Sequence, residues 1–380
     1  MNRADVAVIG GGIVGLAHAW AHARQGHAVV LFERGPTAQM ASVRNFGMVW
    51  PIGQPPGERY DAATKSRAKW LELRDAAGLW VNECGAVHAV YEPDELAVIA
   101  DFAGAAPNLG IACELVVPAD AVERFPALNP DRLLGALYSP TELCVDPRQA
   151  IATLPKFLTE RFPNVALRFG TTVVGIDMPT VTTAARETWT VRRAVVCGGA
   201  DFETLFPDVS ANSGQTRCKL QMTATGPQPN GWRLGPHLAG GLTLAHYKSF
   251  EVAGSLAKLK TRIAAQYPDY MKYGIHVMAS QNQLGEVIIG DSHEYDADIS
   301  VFDKPDIDEL ILKYLRTMLK LPDATIVRRW HGVYAKHPTL AQFTAEPQPN
   351  CHVFGSPGGA GMTLAFGLAE KFATTHPMGL

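Results

Sequence analysis

The feature that most constrains the fold of this 380-residue chain is a glycine-rich turn near its N-terminus. Gly10, Gly12 and Gly15 follow a short apolar run at residues 5–9, which predicts a buried parallel strand. Residues 13–24 then carry apolar side chains along one side and predict a helix that ends before a glycine. The turn is therefore expected to join a strand to a helix.

A carboxylate ends the next predicted strand. The apolar residues 28–32 are followed by Glu33, which completes a strand–helix–strand unit. In such a unit Gly10 permits the tight turn, Gly12 lets the backbone approach a pyrophosphate, and Gly15 lets helix and strand pack closely. The helix N-terminus favours the phosphates, and Glu33 would accept hydrogen bonds from the adenosine ribose. We therefore predict a dinucleotide site, and the acidic residue disfavours the 2′-phosphate of NADP.

Two later glycine-rich segments bear on the choice between NAD and FAD. The predicted strand 194–197 runs into Gly198 and Gly199, although an ordinary turn explains that segment equally well on its own. The loop at residues 355–362 is richer in glycine and leads into a helix that starts near Met362. A helix N-terminus aimed at a cofactor would stabilise negative charge on a reduced flavin ring, which favours FAD.

These segments together resemble the FAD-dependent oxidoreductases of the D-amino-acid oxidase, glycine oxidase and sarcosine oxidase superfamily, over nearly the whole chain. The similarity includes the helix cap at residues 145–147, the strand at 172–176 and the ending Gly358-x-x-Gly361-Met362-Thr363-Leu364-Ala365. It implies an α/β fold with a discontinuous Rossmann-like FAD-binding domain and an α+β substrate domain built on an antiparallel sheet. The expected boundaries are 1–85, 140–215 and 330–380 for the first domain, and 86–139 and 216–329 for the second.

The resemblance also implies which residues contact a non-covalently bound FAD. The loop 41–48 would lie along the isoalloxazine ring, and the strand that begins near Thr172 would give backbone contacts to adenine. Arg44 stands where some relatives carry a flavin-linking histidine, and residues 334–343 contain no cysteine that could take that part. The expected FAD-binding residues are Gly10, Gly12, Gly15, Glu33, Arg34, Ser42, Arg44, Asn45, Gly47, Val173, Val174, Gly198, Gly199, Gly358, Gly359, Gly361, Met362 and Thr363.

A narrower resemblance concerns the substrate. The runs 42–51 and 290–294 look like those of a subgroup associated with aminophosphonate breakdown, which implies a substrate related to 2-aminoethylphosphonate, hydroxylated or N-methylated in some cases. Many members of the superfamily carry W-x-G-x-R, whose arginine pairs with a substrate carboxylate. Here Tyr334 takes the place of that arginine, which argues against an ordinary α-amino acid because a bidentate arginine is the natural carboxylate receptor.

The chemistry implied by the family is hydride transfer from the amine-bearing carbon to flavin N5, followed by hydrolysis of the imine to a carbonyl. This chemistry requires no acid–base triad, and the sequence shows none, so no catalytic residue is assigned. Ile288 stands where sarcosine oxidases place an activating lysine, which argues against rapid reaction with oxygen, so the electrons are expected to go to oxygen or to another acceptor. The candidates for the substrate's anionic group are, in falling order, Arg44, His246, Tyr334 and Lys336.

Lys336 and the histidines also have interpretations that involve no contact with the substrate. Lys336 is equally well a surface lysine, and His246, His276 and His293 are more often structural residues than ligands. Tyr247, next to His246, is also expected in the substrate region.

Composition excludes several classes of function. The net charge of −3 gives no reason to expect nucleic acid or an anionic membrane as a partner. The six cysteines are scattered without a CxxC pair or a metal-ligand spacing, so we expect reduced thiols and no metal. The first apolar stretch is interrupted by glycines and is too short to span a bilayer. A cytoplasmic monomer or small homo-oligomer is expected.

Three alternatives remain open at this stage. The enzyme could oxidise N-methylglycine-like or imino acids instead of an aminophosphonate. The chain could instead be a flavin-binding subunit without turnover of its own. An NAD-only dehydrogenase is the last alternative.

Overall fold

The computed structural model describes residues 2–340, 342–355 and 357–379, and Ser356 of the C-terminal glycine loop lies outside them. The strands are β1 Asn2–Arg3, β2 Val6–Ile9, β3 Val29–Glu33, β4 Met48–Val49, β5 Val81–Asn82, β6 Ala86–Val90, β7 Glu114–Val116, β8 Gly135–Ser139, β9 Leu143–Val145, β10 Val165–Phe169, β11 Val173–Asp177, β12 Thr180–Thr183, β13 Thr188–Thr190, β14 Arg193–Val196, β15 Thr216–Pro227, β16 His237–Ala239, β17 Met278–Gln281, β18 Glu286–Gly290, β19 Glu294–Asp296, β20 Ile326–Lys336, β21 Thr344–Gln348 and β22 Cys351–Phe354. The helices are α1 Ile13–Arg24, α2 Glu58–Ala77, α3 Pro93–Ala105, α4 Pro118–Arg124, α5 Pro147–Arg161, α6 Pro207–Ala211, α7 Gly241–His246, α8 Leu256–Gln266, α9 Pro268–Lys272, α10 Pro305–Met318 and α11 Gly361–Thr375.

A mainly parallel sheet draws its strands from distant parts of the sequence. Its order is β10-β3-β2-β14-β22-β21, and each neighbouring pair is parallel except β21 with β22. The strands β2, β3, β14 and β22 are almost wholly buried, as the continuous apolar runs predicted. Helices α1 and α11 pack against each other and share a core with this sheet. The predicted α/β class is confirmed in this arrangement.

The helix signals of the sequence are realised at their expected places. Helix α1 has the predicted bounds, and α2 ends at Gly78, whose φ of +65° is the left-handed conformation that favours glycine. Helix α5 starts at Pro147, and the Asp146 side chain accepts hydrogen bonds from the backbone N–H groups of Arg148 and Gln149. These caps fix where each helix leaves the sheet.

A second, larger sheet forms the other layer. Its path is β19-β15-β18-β17-β16-β6-β8-β7, with β20 paired along β15. The pairs are antiparallel except β6 with β16, which run parallel, so the expected antiparallel sheet has one parallel contact. Helices α3, α8 and α10 share an apolar core with it that includes the buried Phe102, Phe250 and Ile311. Smaller sheets, β1-β13-β12-β11 and β4-β9-β5, complete the architecture.

The division into an FAD-binding and a substrate domain stays a prediction, and one of its boundaries meets a structural difficulty. The expected boundary at 330 falls inside β20, which pairs with β15 from Ile326 to Lys336. Cutting there would divide one strand between two domains. A boundary after Lys336 keeps the larger sheet whole.

Within the described residues, no helix combines the length and the apolar character needed to cross a membrane.

Candidate active site

The glycine turn adopts a conformation that side chains would disrupt. Gly10 has a φ of +112°, and a Cβ atom there would lie 2.3 Å from the carbonyl oxygen of Cys197. A Cβ on Gly15 would lie 1.9 Å from the carbonyl oxygen of Gly10, so helix α1 can approach β2 only with glycine at this position. The expected reasons for Gly10 and Gly15 thus have a direct geometric basis. Gly12 is the N-cap of α1 and makes no side-chain capping bond.

Polar groups surround this turn from two later segments. The carboxylate of Glu33 accepts hydrogen bonds from the N–H of Gly11 at 2.8 Å and of Gly35 at 2.9 Å, which fixes its position beside the turn. The Ser42 hydroxyl accepts from the N–H of Ile13 at 3.0 Å, in the first turn of α1. Each carboxylate oxygen retains a further acceptor position, so Glu33 is still able to bind a ribose hydroxyl.

The C-terminal glycine loop reaches the same region from the opposite end of the chain. Gly358 has a φ of +67°, and helix α11 begins at Gly361 without a side-chain cap. A Cβ on Gly359 would lie 3.3 Å from the hydroxyl oxygen of Tyr334. The loop therefore packs directly on β20, and its helix N-terminus offers unsatisfied N–H groups.

One elongated cavity connects these groups. It has a volume of about 900 Å³, which is within the range of ligand and cofactor pockets. Every residue predicted to bind FAD lines it except Gly47 and Val174. Gly47 has another reason for being glycine, since its φ is +75° and a Cβ would lie 2.0 Å from the carbonyl oxygen of Val145. The Val174 side chain is about half exposed, at 49%.

These residues fit the expected FAD. The glycine turn and the start of α1 provide a surface that a pyrophosphate can approach, and Glu33 is held where a ribose would lie. The Ser42–Asn45 loop and the start of α11 line the same cavity further along. The contact of each predicted residue with FAD stays a prediction.

Three histidines lie close together at the other end of the cavity. We call this part of the cavity the histidine end. The ring centroids of His246 and His276 lie 3.8 Å apart, and those of His246 and His293 lie 4.7 Å apart. Burial lowers the pKa of His246 and His276 well below the ordinary value and that of His293 to about 4, and Lys336 adds to the effect on all three. All three rings are therefore neutral at neutral pH.

One ligand atom from each of these histidines lies within 4.8 Å of the others, a grouping that sequence spacing had not indicated. The rings of His276 and His293 are near-parallel, at 20°. The nearby Lys336 charge, which lowers the pKa of both, opposes a cation here. The Nδ1 of His293 is 3.0 Å from the carbonyl oxygen of Gly274, so this nitrogen carries the proton and Nε2 is left as an acceptor.

A buried carboxyl group lies beside the histidines. Asp291 Oδ1 is 3.2 Å from His276 Nε2, and the two backbones exchange hydrogen bonds. This contact is not aligned as a hydrogen bond, since Asp291 Oδ1 has no donor in the described part of the chain, and the Nδ1 of His276 also lacks a partner there. Burial raises the pKa of Asp291 to about 8.

Cations without carboxylate partners complete the histidine end. Arg59, Lys248 and Lys336 line the cavity, and none of them forms an ion pair among the residues that the structure describes. Burial lowers the pKa of Lys336, and the charges of Lys248 and Arg59 lower it further. Burial likewise lowers the pKa of Arg59, whose Nε is buried without a partner. We call these three residues the cation group.

The four sequence-derived candidates for the substrate's anionic group all line the cavity but differ in their contacts. His246 and Lys336 belong to the histidine end, and Lys336 donates to the hydroxyl of Tyr295 at 3.0 Å. Tyr334 is buried, and burial raises its pKa well above the ordinary value, so it is a neutral phenol. Arg44 donates to the carbonyl oxygens of Gln39 at 2.9 Å and His331 at 3.4 Å, contacts that brace its own loop.

Sequence reasoning missed Arg59, Lys248 and Asp291 as members of this site. Asp291 belongs to the Gly290–Glu294 motif that had been singled out, so a signal existed for it. Arg59 is the second residue of helix α2 and Lys248 follows α7, and neither lies in a recognisable motif. Only the three-dimensional packing brings these two side chains to Lys336.

Comparisons with known proteins show what this chain is similar to. A family described as FAD dependent oxidoreductase matches residues 5–375. Human mitochondrial sarcosine dehydrogenase is 26% identical over 168 residues, which are 43% of this chain and 18% of that protein. Glycine oxidase from Geobacillus kaustophilus is 27% identical over 147 residues, 37% of this chain and 39% of that protein. The alignments thus span less than half of the length of these relatives.

The likeness in three dimensions is more extensive. The crystal structure of glycine oxidase from Geobacillus kaustophilus superposes with a TM-score of 0.78, covering 100% of this chain and 96% of that one at 18% identity. At such low identity the superposition shows a shared fold.

Proposed function

Because the chain belongs to the family of FAD-dependent oxidoreductases, we propose that it oxidises a small amine carrying a separate anionic group, and that this substrate is an aminophosphonate related to 2-aminoethylphosphonate. The observation that carries the substrate proposal is the cation group at the histidine end. Membership in the family confirms the predicted cofactor and reaction class, FAD and oxidoreduction.

The electrostatics of the cation group favour a doubly charged partner. Arg59, Lys248 and Lys336 repel one another, and two of them are partly withdrawn from water without a carboxylate within ion-pair distance in the described structure. Burial of unpaired like charges is unfavourable unless a ligand supplies the opposite charge. A phosphonate brings up to two negative charges and three acceptor oxygens, whereas a carboxylate brings one charge and two oxygens.

The neighbouring residues suit such a head group as hydrogen-bond donors. A neutral imidazole donates through one ring nitrogen, so His246 and His276 can each donate once without being protonated. Tyr334, protonated for the reason given above, adds a hydroxyl in place of the arginine that would receive an α-carboxylate.

The family indicates what the cofactor and the chain each contribute to the reaction. When bound, FAD supplies the acceptor for the hydride from the amine-bearing carbon, and water then converts the oxidised product to a carbonyl. The chain holds the cofactor through the glycine turn, the Ser42–Asn45 loop and the start of α11. The histidine end fixes the anionic group, which orients the reacting carbon–hydrogen bond.

A second candidate is supported by a relative. The likeness to sarcosine dehydrogenase favours oxidation of an N-methylated amino acid, for which the cation group would bind a carboxylate. The two candidates differ in the charge on the substrate's acidic group. A panel of amines therefore separates them.

The test is anaerobic reduction of the FAD-loaded protein by such a panel. We expect 2-aminoethylphosphonate, or its N-methyl or hydroxyl derivative, to bleach the flavin faster than sarcosine, proline or glycine. Bleaching by sarcosine or proline alone would establish the second candidate instead. Bleaching by none of the amines would overturn amine oxidation and leave a flavin-binding subunit as the alternative. Admission of oxygen to the reduced protein then reports whether oxygen is an acceptor.

A further inference from the structure

Asp291 is a buried carboxyl group that forms no ion pair with a lysine or arginine among the described residues. It follows β18 directly, lines the cavity and is 5% exposed. Its Oδ1 has no hydrogen-bond donor in the described part of the chain, although His276 Nε2 is 3.2 Å away. A buried carboxyl oxygen without a donor is costly, so a donor from outside the protein would stabilise it.

The obvious internal partner is not engaged with it. Lys336 lies close enough for its charge to act on Asp291, yet the ammonium group donates to Tyr295, and no ion pair joins the two among the described residues. Unpaired positive charge and an unpaired carboxyl group thus line one cavity. A ligand that carries both an anion and an ammonium group would satisfy both.

We propose that Asp291 binds the ammonium group of the substrate and accepts one of its protons before the carbon–hydrogen bond is cleaved. This inference rests on the proposed amine oxidation. The step is balanced: R–NH3⁺ and the Asp291 carboxylate give R–NH2 and the Asp291 carboxylic acid. The neutral amine keeps its lone pair to stabilise the positive charge that develops when the hydride leaves.

Burial makes Asp291 a better proton acceptor than a surface carboxylate. Its pKa of about 8 in the empty cavity compares with about 10 for an aliphatic ammonium and about 4 for an exposed aspartate. Each unit of pKa is a factor of ten in the proton-transfer equilibrium, so the transfer is about ten-thousandfold less unfavourable than to a surface aspartate. The arriving ammonium favours the ionised carboxylate, which is the form that binds it.

The other titratable groups around Asp291 bear on the pH dependence. His276 faces it from the segment before β17 and is neutral, and Lys336 on β20 is the nearest positive charge that acts on it. The remaining groups titrate well above neutral pH because burial raises the pKa of each: Cys218 on β15, Tyr247 after α7, Tyr295 on β19 and Tyr334 on β20. The pKa of Asp291, about 8, therefore places its titration just above neutral pH.

The experiment compares Asp291→Asn with Asp298→Asn, which changes a carboxylate that also lines the cavity. Binding to the FAD-loaded proteins is followed through the flavin spectrum, with 2-aminoethylphosphonate and with ethylphosphonate, which lacks the amine. We expect Asp291→Asn to weaken binding of the amine about 10- to 100-fold and that of ethylphosphonate less than about threefold. Asp298→Asn should change neither. Equal losses for both ligands, or no loss, overturn the inference.

The anaerobic rate of flavin reduction supplies a second readout. Measured at limiting substrate, which reports the empty cavity, the rate in the natural protein should rise with pH through about 8 and then level off, because Asp291 becomes ionised. In Asp291→Asn it should keep rising about tenfold per pH unit toward the pKa of the substrate amine, about 10. Asp291→Glu, which restores the carboxylate, should recover the plateau. This variant replaces Asp291→Asn in the test if the asparagine variant fails to hold flavin. Unchanged profiles overturn the assignment while amine oxidation stands. If no amine reduces the flavin of the natural protein, the proposed function itself has failed.

Discussion

The two ends of the cavity are built in contrasting ways. The cofactor end is formed mainly by backbone, with glycines in fixed conformations and two helix N-termini. Its side chains Glu33 and Ser42 are held in place by hydrogen bonds inside the protein. The histidine end is made of side chains with incomplete partners, namely neutral histidines, the unpaired cation group and the buried Asp291. A backbone surface suits one invariable cofactor, whereas side chains with unmet partners select a particular substrate.

The largest effect is expected where an added atom meets the backbone of the cofactor end. A methyl group in Gly15→Ala would lie 1.9 Å from the carbonyl oxygen of Gly10, so the turn must move. We expect a cost of about 3 kcal/mol, equivalent to about 100-fold in FAD affinity. The loss of affinity is measured by the amount of flavin retained on purification and by the dissociation constant of added FAD.

The matched control is Gly104→Ala, also at a helical glycine, where a Cβ would meet no atom within 4 Å. Alanine should stabilise α3 by up to about 1 kcal/mol and leave FAD binding intact. Equal FAD affinity in both variants would show that the turn does not hold the cofactor.

A smaller effect, confined to the substrate, is expected at the histidine end. Lys336→Met keeps most of the side chain's volume and removes its charge, so affinity for 2-aminoethylphosphonate should fall about 10- to 100-fold. FAD affinity should stay the same. Lys320→Met changes a lysine that is about half exposed on the surface and should alter neither constant. A loss of FAD binding in Lys336→Met would show that the two ends of the cavity do not bind cofactor and substrate separately.

The neutral histidines predict a dependence of stability on pH. The pKa of His293 is about 4 in the folded protein and about 6.5 in the unfolded chain, so only the unfolded chain gains this proton as pH falls below 6.5. Stability contributed by this residue is complete above pH 6.5 and falls by about 1.4 kcal/mol per pH unit down to about pH 4. In His293→Gln, the free energy of unfolding measured with denaturant should depend less steeply on pH, by the equivalent of about one proton. The exposed His376→Gln should follow the natural protein. Parallel curves for all three would mean that His293 is protonated in the fold.

The smallest effect is expected at Arg44. Its guanidinium braces the Ser42–Asn45 region through two backbone carbonyls, so Arg44→Gln should weaken FAD binding only a few-fold, corresponding to about 1 kcal/mol. Substrate affinity should change less than twofold. A substrate loss as large as that of Lys336→Met would return Arg44 to the anion site, as the sequence had suggested.

The cofactor end was largely predictable from the sequence because its signals are local. A glycine that must have a positive φ, such as Gly10, and a capping side chain, such as Asp146, act on residues a few positions away. The family resemblance added the C-terminal loop. Gly47 shows the limit of this reasoning, because the approach of Val145 by itself requires a glycine at this position.

The histidine end depends on contacts between distant segments. His276 and Asp291 become neighbours only through strand pairing, and Arg59 and Lys248 reach Lys336 from two separate helices. No periodicity or spacing encodes these encounters. The expected boundary at 330 falls inside β20 for the same reason, since the pairing of β20 with β15 is non-local.

The most direct test of the account is the stoichiometry of a single anaerobic turnover. FAD-loaded protein mixed with excess 2-aminoethylphosphonate, or its N-methyl or hydroxyl derivative, should yield one equivalent of phosphonate-bearing carbonyl product for each flavin reduced. Flavin that stays oxidised with every aminophosphonate, and is reduced without such a product only by other amines, would contradict the assignment of the histidine end to a phosphonate.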